Sequence, residues 1–363
     1  MEYTRIDYRK TFDFCQKVFE FYGFSKEEAK DITDILLDAD LSGIESHGVQ
    51  RLIRYYHELT DLAYVDAKAR PEIVKETPLS ATIEGHRAMG QLVGKFAMQL
   101  AIDKAKKNGV GMVAVRNSNH YGIAGYYAKM AAEEDLCGVS MCNTESIMVP
   151  TFGAEGVLGT NPIAFCMPAE PKNFLFDAAT TVVPRGKLEV YVKRGNGLPF
   201  GWAMDETGKD SDEGDRVLKN IIEKAGGGIL PLGGCGELTS GYKGYGFGMI
   251  VEIMCGILSQ GATSNHIARE PGHVNTSQFF MAFDHGMFGE KKEIEKRLSV
   301  FLQEVRDSKK AEGADRIYIH GEKEYEAREK VLAGGIRVNE KTLSEMKMIG
   351  EAAGVRFDPE EMK

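Results

Sequence analysis

VGMVAVRNSNHYGIAGYYAKMA, residues 110–131, changes character twice along its length. VGMVAV is apolar and rich in valine, the composition of a buried strand. RNSN then brings a polar run, which His120 closes. Gly122 and Gly125 follow, and from about Ala124 the apolar residues fall at helical spacing. A histidine therefore stands at a strand-to-helix turn, where backbone N–H groups lack intrahelical partners. The glycines let a ligand come close to the backbone. Such a turn suits a phosphate or pyrophosphate, and an imidazole there can give or take a proton near neutral pH. The same residues also fit a plainer reading. His120 can be satisfied by loop carbonyls, with Asn117, Ser118 and Asn119 as turn formers.

The neighbouring segments mix strands with helices. SATIEG (80–85) reads as a strand and QLVGKFAMQLAIDKAKKNG (91–109) as a helix. LCGVSMCNT (136–144), PIAFCMP (162–168), NFLFDAAT (173–180) and TSQFFMAFD (276–284) read as strands. RGNGLPFGWAMDETGKDSDEGD (194–215) is polar and glycine-rich, the mark of an exposed loop. YKGYGFGMIVEIMCGILSQG (242–261) reads as a glycine-rich turn feeding an apolar helix. Further out the chain is helical. DYRKTFDFCQKVFEFYG (7–23) is one helix, and SKEE (25–28) is a capping box opening the next. Ser46 is placed to cap a third helix, HGVQRLIRYYHEL. AYVDAKARPEIVKETP (63–78) reads as the crossing into a second domain. At the far end EKKEIEKRLSVFLQEVRDS (290–308) is an amphipathic helix, RIYIHGE (316–322) a short strand and turn, and two more helices follow.

The chain of 363 residues is long enough for two domains, and 43% hydrophobic residues supply a sizeable core. Its net charge of −9 argues against nucleic acid or an anionic membrane surface as partner. No apolar run reaches the roughly 18 residues of a membrane span, and the charged start MEYTRIDYRK is no signal peptide. The six cysteines form no CxxC pair, so buried thiols in a reducing cytoplasm are expected. No HExxH, EF-hand loop or GxSxG occurs, and no metal is expected. His266, His273 and His285 lack metal-ligand spacing and read as surface residues. There is no GxGxxG after a strand and no Walker loop, so a dinucleotide site must be built another way.

Other stretches carry chemistry-bearing residues. With Ser46 as cap, His47 falls in the first helical turn and Arg51 one turn on. An arginine fork grips a carboxylate with two bonds, beside a proton-transfer group. The alternative is a capped helix with surface His and Arg. Thr160, Asn161 and Pro162 precede a strand, where they orient a ligand or make an Asx turn. Asp177 ends an apolar strand. Lys243 among glycines is either an anion cradle or part of tight helix packing.

Several long blocks occur in order: ADLSGIESHGVQRLIRY (39–55), VRNSNHYGIAGYYAKMAAEE (115–134), LGTNPIAF (158–165), ATTVVPRGKLEVY (179–191), ILPLGGCGE (229–237) with GYKGYGFGM (241–249), and RIYIHGEK (316–323). Together they resemble the malate/L-lactate dehydrogenase family, which is unrelated to the Rossmann-fold lactate and malate enzymes. The resemblance covers nearly the whole chain and is strongest to the malate dehydrogenase members.

It implies an α+β fold, not Rossmann. A helical domain would form from both termini, residues 1–75 with about 310–363, beside a large NAD(P)-binding domain with a mainly antiparallel sheet, residues 76–309. It implies a homodimer with each active site near the interface, NAD or NADP as cofactor, and a small 2-oxo/2-hydroxy acid as substrate. Malate and oxaloacetate come first; L-lactate, sulfolactate and ureidoglycolate are alternatives. An alternative of another class is a catalytically inactive dinucleotide-binding dimer. Carried over by resemblance, Ser46 and His47 match the family's Ser-His pair, Arg51 its carboxylate ligand and Thr160 a substrate contact. His120, with Tyr121, Gly122, Ile123 and Ala124, matches the turn that meets the cofactor. Asp177, Ala178, Ala179, Thr180, Thr181, Lys243, His320, Gly321 and Glu322 match cofactor contacts. Members differ over which histidine donates the proton; a malate-type enzyme favours His120, with His47 close behind. Two positions depart from relatives. Lys187 stands where imine reductases of the family place Asp, which counts against imine reduction, and Glu145 where malate enzymes tend to carry a basic residue.

Overall fold

The two ends of the chain pair with each other. In the computed structural model, which describes residues 3–267 and 275–358, β1 (Tyr3–Ile6) runs antiparallel to β11 (Ile336–Asn339). α1 (Tyr8–Phe21) starts at Asp7, whose carboxylate accepts from the Lys10 N–H. α2 (Lys26–Leu41) starts at Ser25 with the capping box read from SKEE: Ser25 Oγ accepts from Glu28 N–H, and the Glu28 carboxylate accepts from Ser25 N–H. α3 (Leu52–Leu59) and the last helix, α11 (Glu340–Ala353), close over these. Phe14, Val18, Ile32, Leu36, Leu52, Tyr55, Ile336, Met346 and Ile349 form one apolar cluster. Each such buried side chain contributes roughly 1.5–3 kcal/mol relative to exposure.

The central sheet has seven strands in the order β2-β3-β4-β10-β5-β6-β7. These are β2 (Glu72–Glu76), β3 (Ser80–Glu84), β4 (Val110–Ser118), β5 (Cys137–Cys142), β6 (Ile163–Met167), β7 (Phe174–Ala178) and β10 (Thr276–Phe283). β3 and β4 run parallel; the other pairings are antiparallel. The register sets Ser118 opposite Thr276, Cys142 opposite Gln278, and Ile163 opposite both Met141 and Ala178. One end of the sheet therefore collects the last residues of β4, β5 and β7 and the first of β6 and β10. His120, Thr160 and Asp177 all lie at that end.

α4 (Gly90–Asn108) and α5 (Ala124–Glu133) cover one face, with Val93, Ala97, Ala101, Val113, Val115, Tyr127, Ala128 and Phe280 in a shared core. Small residues let them sit close: a Cβ on Gly138 would lie 2.3 Å from the Ala128 carbonyl oxygen. α8 (Gly241–Glu252) and one π-helical turn after it cover the other face through Val251 and Cys255. The outer side of this helix leaves Tyr242, Phe247, Ile250, Ile253 and Ile257 exposed. A satellite core around Leu188, Leu198, Val217 and Ile229 joins α6 (Arg185–Lys193), α7 (Gly214–Glu223), β8 (Ala203–Met204) and β9 (Gly228–Ile229). α9 (Lys291–Asp307) and α10 (Glu322–Gly334) complete the chain. No helix among the described residues is long and apolar enough to cross a membrane.

Several expectations are corrected. Ser46 caps no helix: residues 45–51 form two successive 3-10 turns, and α3 begins after Arg51. The glycine run at 241–248 is itself helical, because its glycines let α8 approach Leu232 and Met148, so packing outweighs poor propensity. RIYI makes no strand. Part of the supposed loop 194–215 is β8 and the start of α7. His285 is buried, while His266 is exposed as expected. His273 lies outside the described residues.

Candidate active site

The turn after β4 brings His120 to the 3-10 segment that carries His47. The two imidazoles stack, with centroids 5.6 Å apart and planes 19° from parallel. His120 Nδ1 lies 2.7 Å from the hydroxyl of Tyr55, which is fully buried on α3. Ser46 Oγ lies 3.0 Å from His47 Nδ1, and Arg51 Nε donates to the Ser46 carbonyl at 2.6 Å. Ser46, His47, Arg51 and His120 thus form one constellation, although the segment is not the capped helix expected.

Burial, and then the Arg51 and Arg54 guanidiniums, push the His47 pKa down to about 4. His47 is accordingly neutral at pH 7. Burial also lowers Arg51, and it holds the Tyr55 hydroxyl well above the usual phenol range. Arginine stays charged under such shifts. Arg54 is tied to Glu58, its Nε donating to Oε1 at 2.6 Å.

Thr160 sits in a turn fixed on all sides. Its carbonyl accepts from the Thr180 N–H at 2.9 Å and the Thr180 hydroxyl at 3.1 Å, and its own N–H donates to Thr144 Oγ1 at 2.9 Å. Asn161 beside it has φ of +39°, a left-handed conformation that Asn tolerates. Its side chain donates to the buried Glu252 carboxylate at 3.0 Å. Glu252 also accepts from Asn143 Nδ2, the Ser264 N–H and the Ser264 hydroxyl. This hub ties the ends of β5 and β6 to α8.

The residues expected at a cofactor also gather. Asp177 Oδ2 accepts from Gly125 N–H at 2.6 Å, so the end of β7 caps the start of α5. Burial pushes the Asp177 pKa up to about 6. The Tyr121–Ala124 turn and the 177–181 segment therefore adjoin. Gly122 takes φ of +89°. The Tyr121 ring points into the core against Tyr127, with its hydroxyl 3.2 Å from Ser140 Oγ. Ile123 and Ala124 are buried too, so this turn offers a ligand mainly backbone. Ala178 pairs with Ile163, Ala179 follows it, and Thr181 Oγ1 donates to the Val183 carbonyl. The His320 carbonyl accepts from Leu175 N–H, and its ring lies against Phe174 and Phe176. Gly321 has φ of +97° and packs on Leu175; Glu322 holds Arg306 at 2.7 Å and Arg316 at 3.2 Å. Lys243 is exposed on the first turn of α8 beside the Tyr242 ring. Lys187 is exposed on α6 and Glu145 half-buried beyond β5.

Tyr55, Asp40 and Glu252 went unread in the sequence. Tyr55 had a signal, since it falls four residues after Arg51 in the same helical block. Glu252 had none, because its donors come from positions far apart in the chain. Asp135, His285 and Glu295 offer ligand atoms within 4.8 Å of one another, at the opposite end of the sheet. Lys291 already pairs with Asp135 at 3.3 Å and Lys292 with Glu295 at 2.7 Å, so this cluster reads as an ion-pair network rather than a metal centre.

The sequence profile of malate/L-lactate dehydrogenases matches residues 6–347. The chain belongs to the malate/L-lactate dehydrogenase family. It is 45% identical to a malate dehydrogenase of Pyrococcus abyssi, covering 98% of this chain and 96% of that protein. It is 29% identical to the ureidoglycolate dehydrogenase (NAD(+)) of Escherichia coli strain K12, covering 87% of each. Its fold superposes on the crystal structure of malate dehydrogenase from Entamoeba histolytica with a TM-score of 0.94 at 35% identity, covering 98% and 99% of the two chains. The resemblance read from the sequence blocks is thereby met, and the chain is a dehydrogenase of this family.

Proposed function

We propose that the protein transfers a hydride reversibly between NAD(P)H and a 2-oxo acid, with malate and oxaloacetate as the substrate pair. The observation that carries this is the stacked His47–His120 pair with Arg51 on the same turn, at the end of the sheet where Thr160 and residues 121–124 and 177–181 converge. The cofactor, when bound, supplies the hydride. Arg51 grips the substrate carboxylate, with Thr160 as a second contact. His120 protonates the ketone oxygen as negative charge develops on it. Its Nδ1 is engaged by Tyr55, so the proton passes through Nε2. A hydroxyl both donates and accepts, and Tyr55 can therefore hold the ring in either charge state. His47, with its pKa near 4, is a poorer proton donor at neutral pH and acts with Ser46 to line the site.

The residues present fit a nicotinamide dinucleotide held without GxGxxG. The backbone of Tyr121, Gly122, Ile123 and Ala124 and the segment from Asp177 through Ala178, Ala179, Thr180 and Thr181 would hold it, with His320, Gly321 and Glu322 alongside β7; the Thr180 and Thr181 hydroxyls brace that segment from within. Asp177 already occupies the Gly125 N–H. A carboxylate there suits a ribose hydroxyl better than a phosphate, which favours a ribose at this helix end over the pyrophosphate first expected. Lys243, exposed on the first turn of α8, would add a positive charge toward an anionic cofactor.

The assembly we propose is a homodimer in the cytoplasm. The exposed apolar row on α8 fits a second copy, and the described cysteines are all free thiols. We further propose two domains, residues 1–75 with about 310–363 and residues 76–309, divided between the two main apolar clusters. A panel assay tests the function: pure protein with NADH or NADPH and, in turn, oxaloacetate, pyruvate, sulfopyruvate and oxalurate. Fastest turnover with oxaloacetate supports the reading. Preference for another acid moves the substrate within the family, and no turnover with cofactor bound overturns hydride transfer to 2-oxo acids.

A further inference from the structure

The 3-10 segment that carries His47 and Arg51 is held from below by one side chain outside the site. Asp40, in the last turn of α2, is 6% exposed. Its Oδ2 accepts from the Val49 N–H at 2.6 Å. Val49 lies two residues from His47 and two from Arg51. Gly48 lies flat on the same carboxyl: a Cβ there would stand 2.1 Å from Asp40 Oδ1 and 2.2 Å from Cγ. Gly48 has φ of −85°, so it is glycine for space and not for conformation. The residue between the histidine and the arginine is thus shaped around Asp40.

We propose that Asp40 is the positioning residue of the His47–Arg51 turn: its carboxyl fixes the backbone on which both side chains stand, and its ionisation changes how well the turn binds the substrate carboxylate. This rests on the function proposed above. Neighbouring Asp38 pairs with Lys129 and Arg328, whereas Asp40 faces Glu45, Cys15 and Tyr8. Burial, opposed by the Val49 bond and aided by Glu45, pushes its pKa up to about 8. At pH 7 the acid is mostly neutral. Above pH 8 a buried negative charge appears beneath the segment that must attract an anion. Substrate binding weakens there, while the hydride step itself is unaffected.

The test compares wild type, Asp40→Asn and Asp40→Ala in three measurements. They are kcat and KM for the best 2-oxo acid from pH 6 to 9, binding of oxalate in the presence of NADH, and amide hydrogen exchange over residues 46–51. Wild-type KM and oxalate Kd should rise about tenfold between pH 7 and 9, with kcat changing less. Asp40→Asn mimics the neutral acid, so it should match wild type within about threefold at pH 7 and lose the alkaline rise. Asp40→Ala should raise KM about tenfold at every pH and lose protection at Val49. An Asp40→Asn enzyme that keeps the wild-type pH profile, or an Asp40→Ala enzyme with wild-type KM and exchange, overturns the proposal. Should the alanine variant fail to fold, the asparagine profile decides alone. Should wild type turn over no 2-oxo acid, the functional reading fails, and the exchange difference across pH 8 between wild type and Asp40→Asn still decides for or against Asp40.

Discussion

Each end of the central sheet carries a histidine, and the two are held differently. At one end His120 Nδ1 meets the neutral hydroxyl of Tyr55, and His47 stacks on it beneath two guanidiniums. At the other end His285 is buried with Nε2 3.1 Å from Glu295 Oε1 and Nδ1 4.0 Å from Cys137 Sγ. Lys291, Lys292, Asp135 and Asp284 complete an ion-pair ring around it. The Tyr55 hydroxyl can both donate and accept, while the Glu295 carboxylate accepts. Under the proposed function, the first arrangement would let His120 give and take a proton during turnover. The second anchors α9 to the start of β5 and the end of β10. On that reading, partner chemistry separates a proton-transfer histidine from a fastening one.

The largest effect should follow from breaking the first end. His120→Ala should lower kcat/KM for oxaloacetate about 10²–10⁴-fold, the range general acid–base catalysis contributes, with cofactor affinity little changed. Steady-state kinetics with a cofactor titration checks both. Next, Arg51→Met removes the carboxylate fork and should cost about 2–3 kcal/mol of substrate binding, seen as a rise in KM of order 10². At the fastening end, His285→Ala should lower thermal stability by about 1–3 kcal/mol while leaving kcat within about twofold; melting curves and kinetics on the same sample separate the two. The smallest effect concerns pH. His47 binds protons less readily folded, near pH 4, than unfolded, near 6.5. Between those values the unfolded chain holds more protons, so stability rises with pH there and is lost as pH falls from 6.5 towards 4. His47→Asn should flatten that part of the melting-temperature profile.

Much of this was legible in residue order. The strand, turn and helix of 110–133 follow apolar period, and the capping box at Ser25 follows from two side chains three residues apart. The gathering of Ser46, His47, Arg51 and His120 was anticipated only through resemblance. What stayed hidden depended on partners distant in the chain. Between the 3-10 turns at 45–51 the Val49 N–H goes to Asp40, a tertiary bond that no local propensity encodes. The helix at 241–252 defies its glycines because Gly244 and Gly248 let it pack closely on Leu232 and Met148. β1 and β11 are four-residue strands that only make sense as a pair, 330 residues apart in the chain. Burial of His285 needs Glu295 and Cys137 from other elements.

The most direct measurement follows the loss of NADH or NADPH absorbance on adding oxaloacetate to wild type, His120→Ala and His285→Ala side by side. The account predicts rapid loss with wild type and His285→Ala, and a rate lower by at least about 10² with folded, cofactor-binding His120→Ala. A His120→Ala enzyme as fast as wild type, or a His285→Ala enzyme that is folded but inactive, would contradict it.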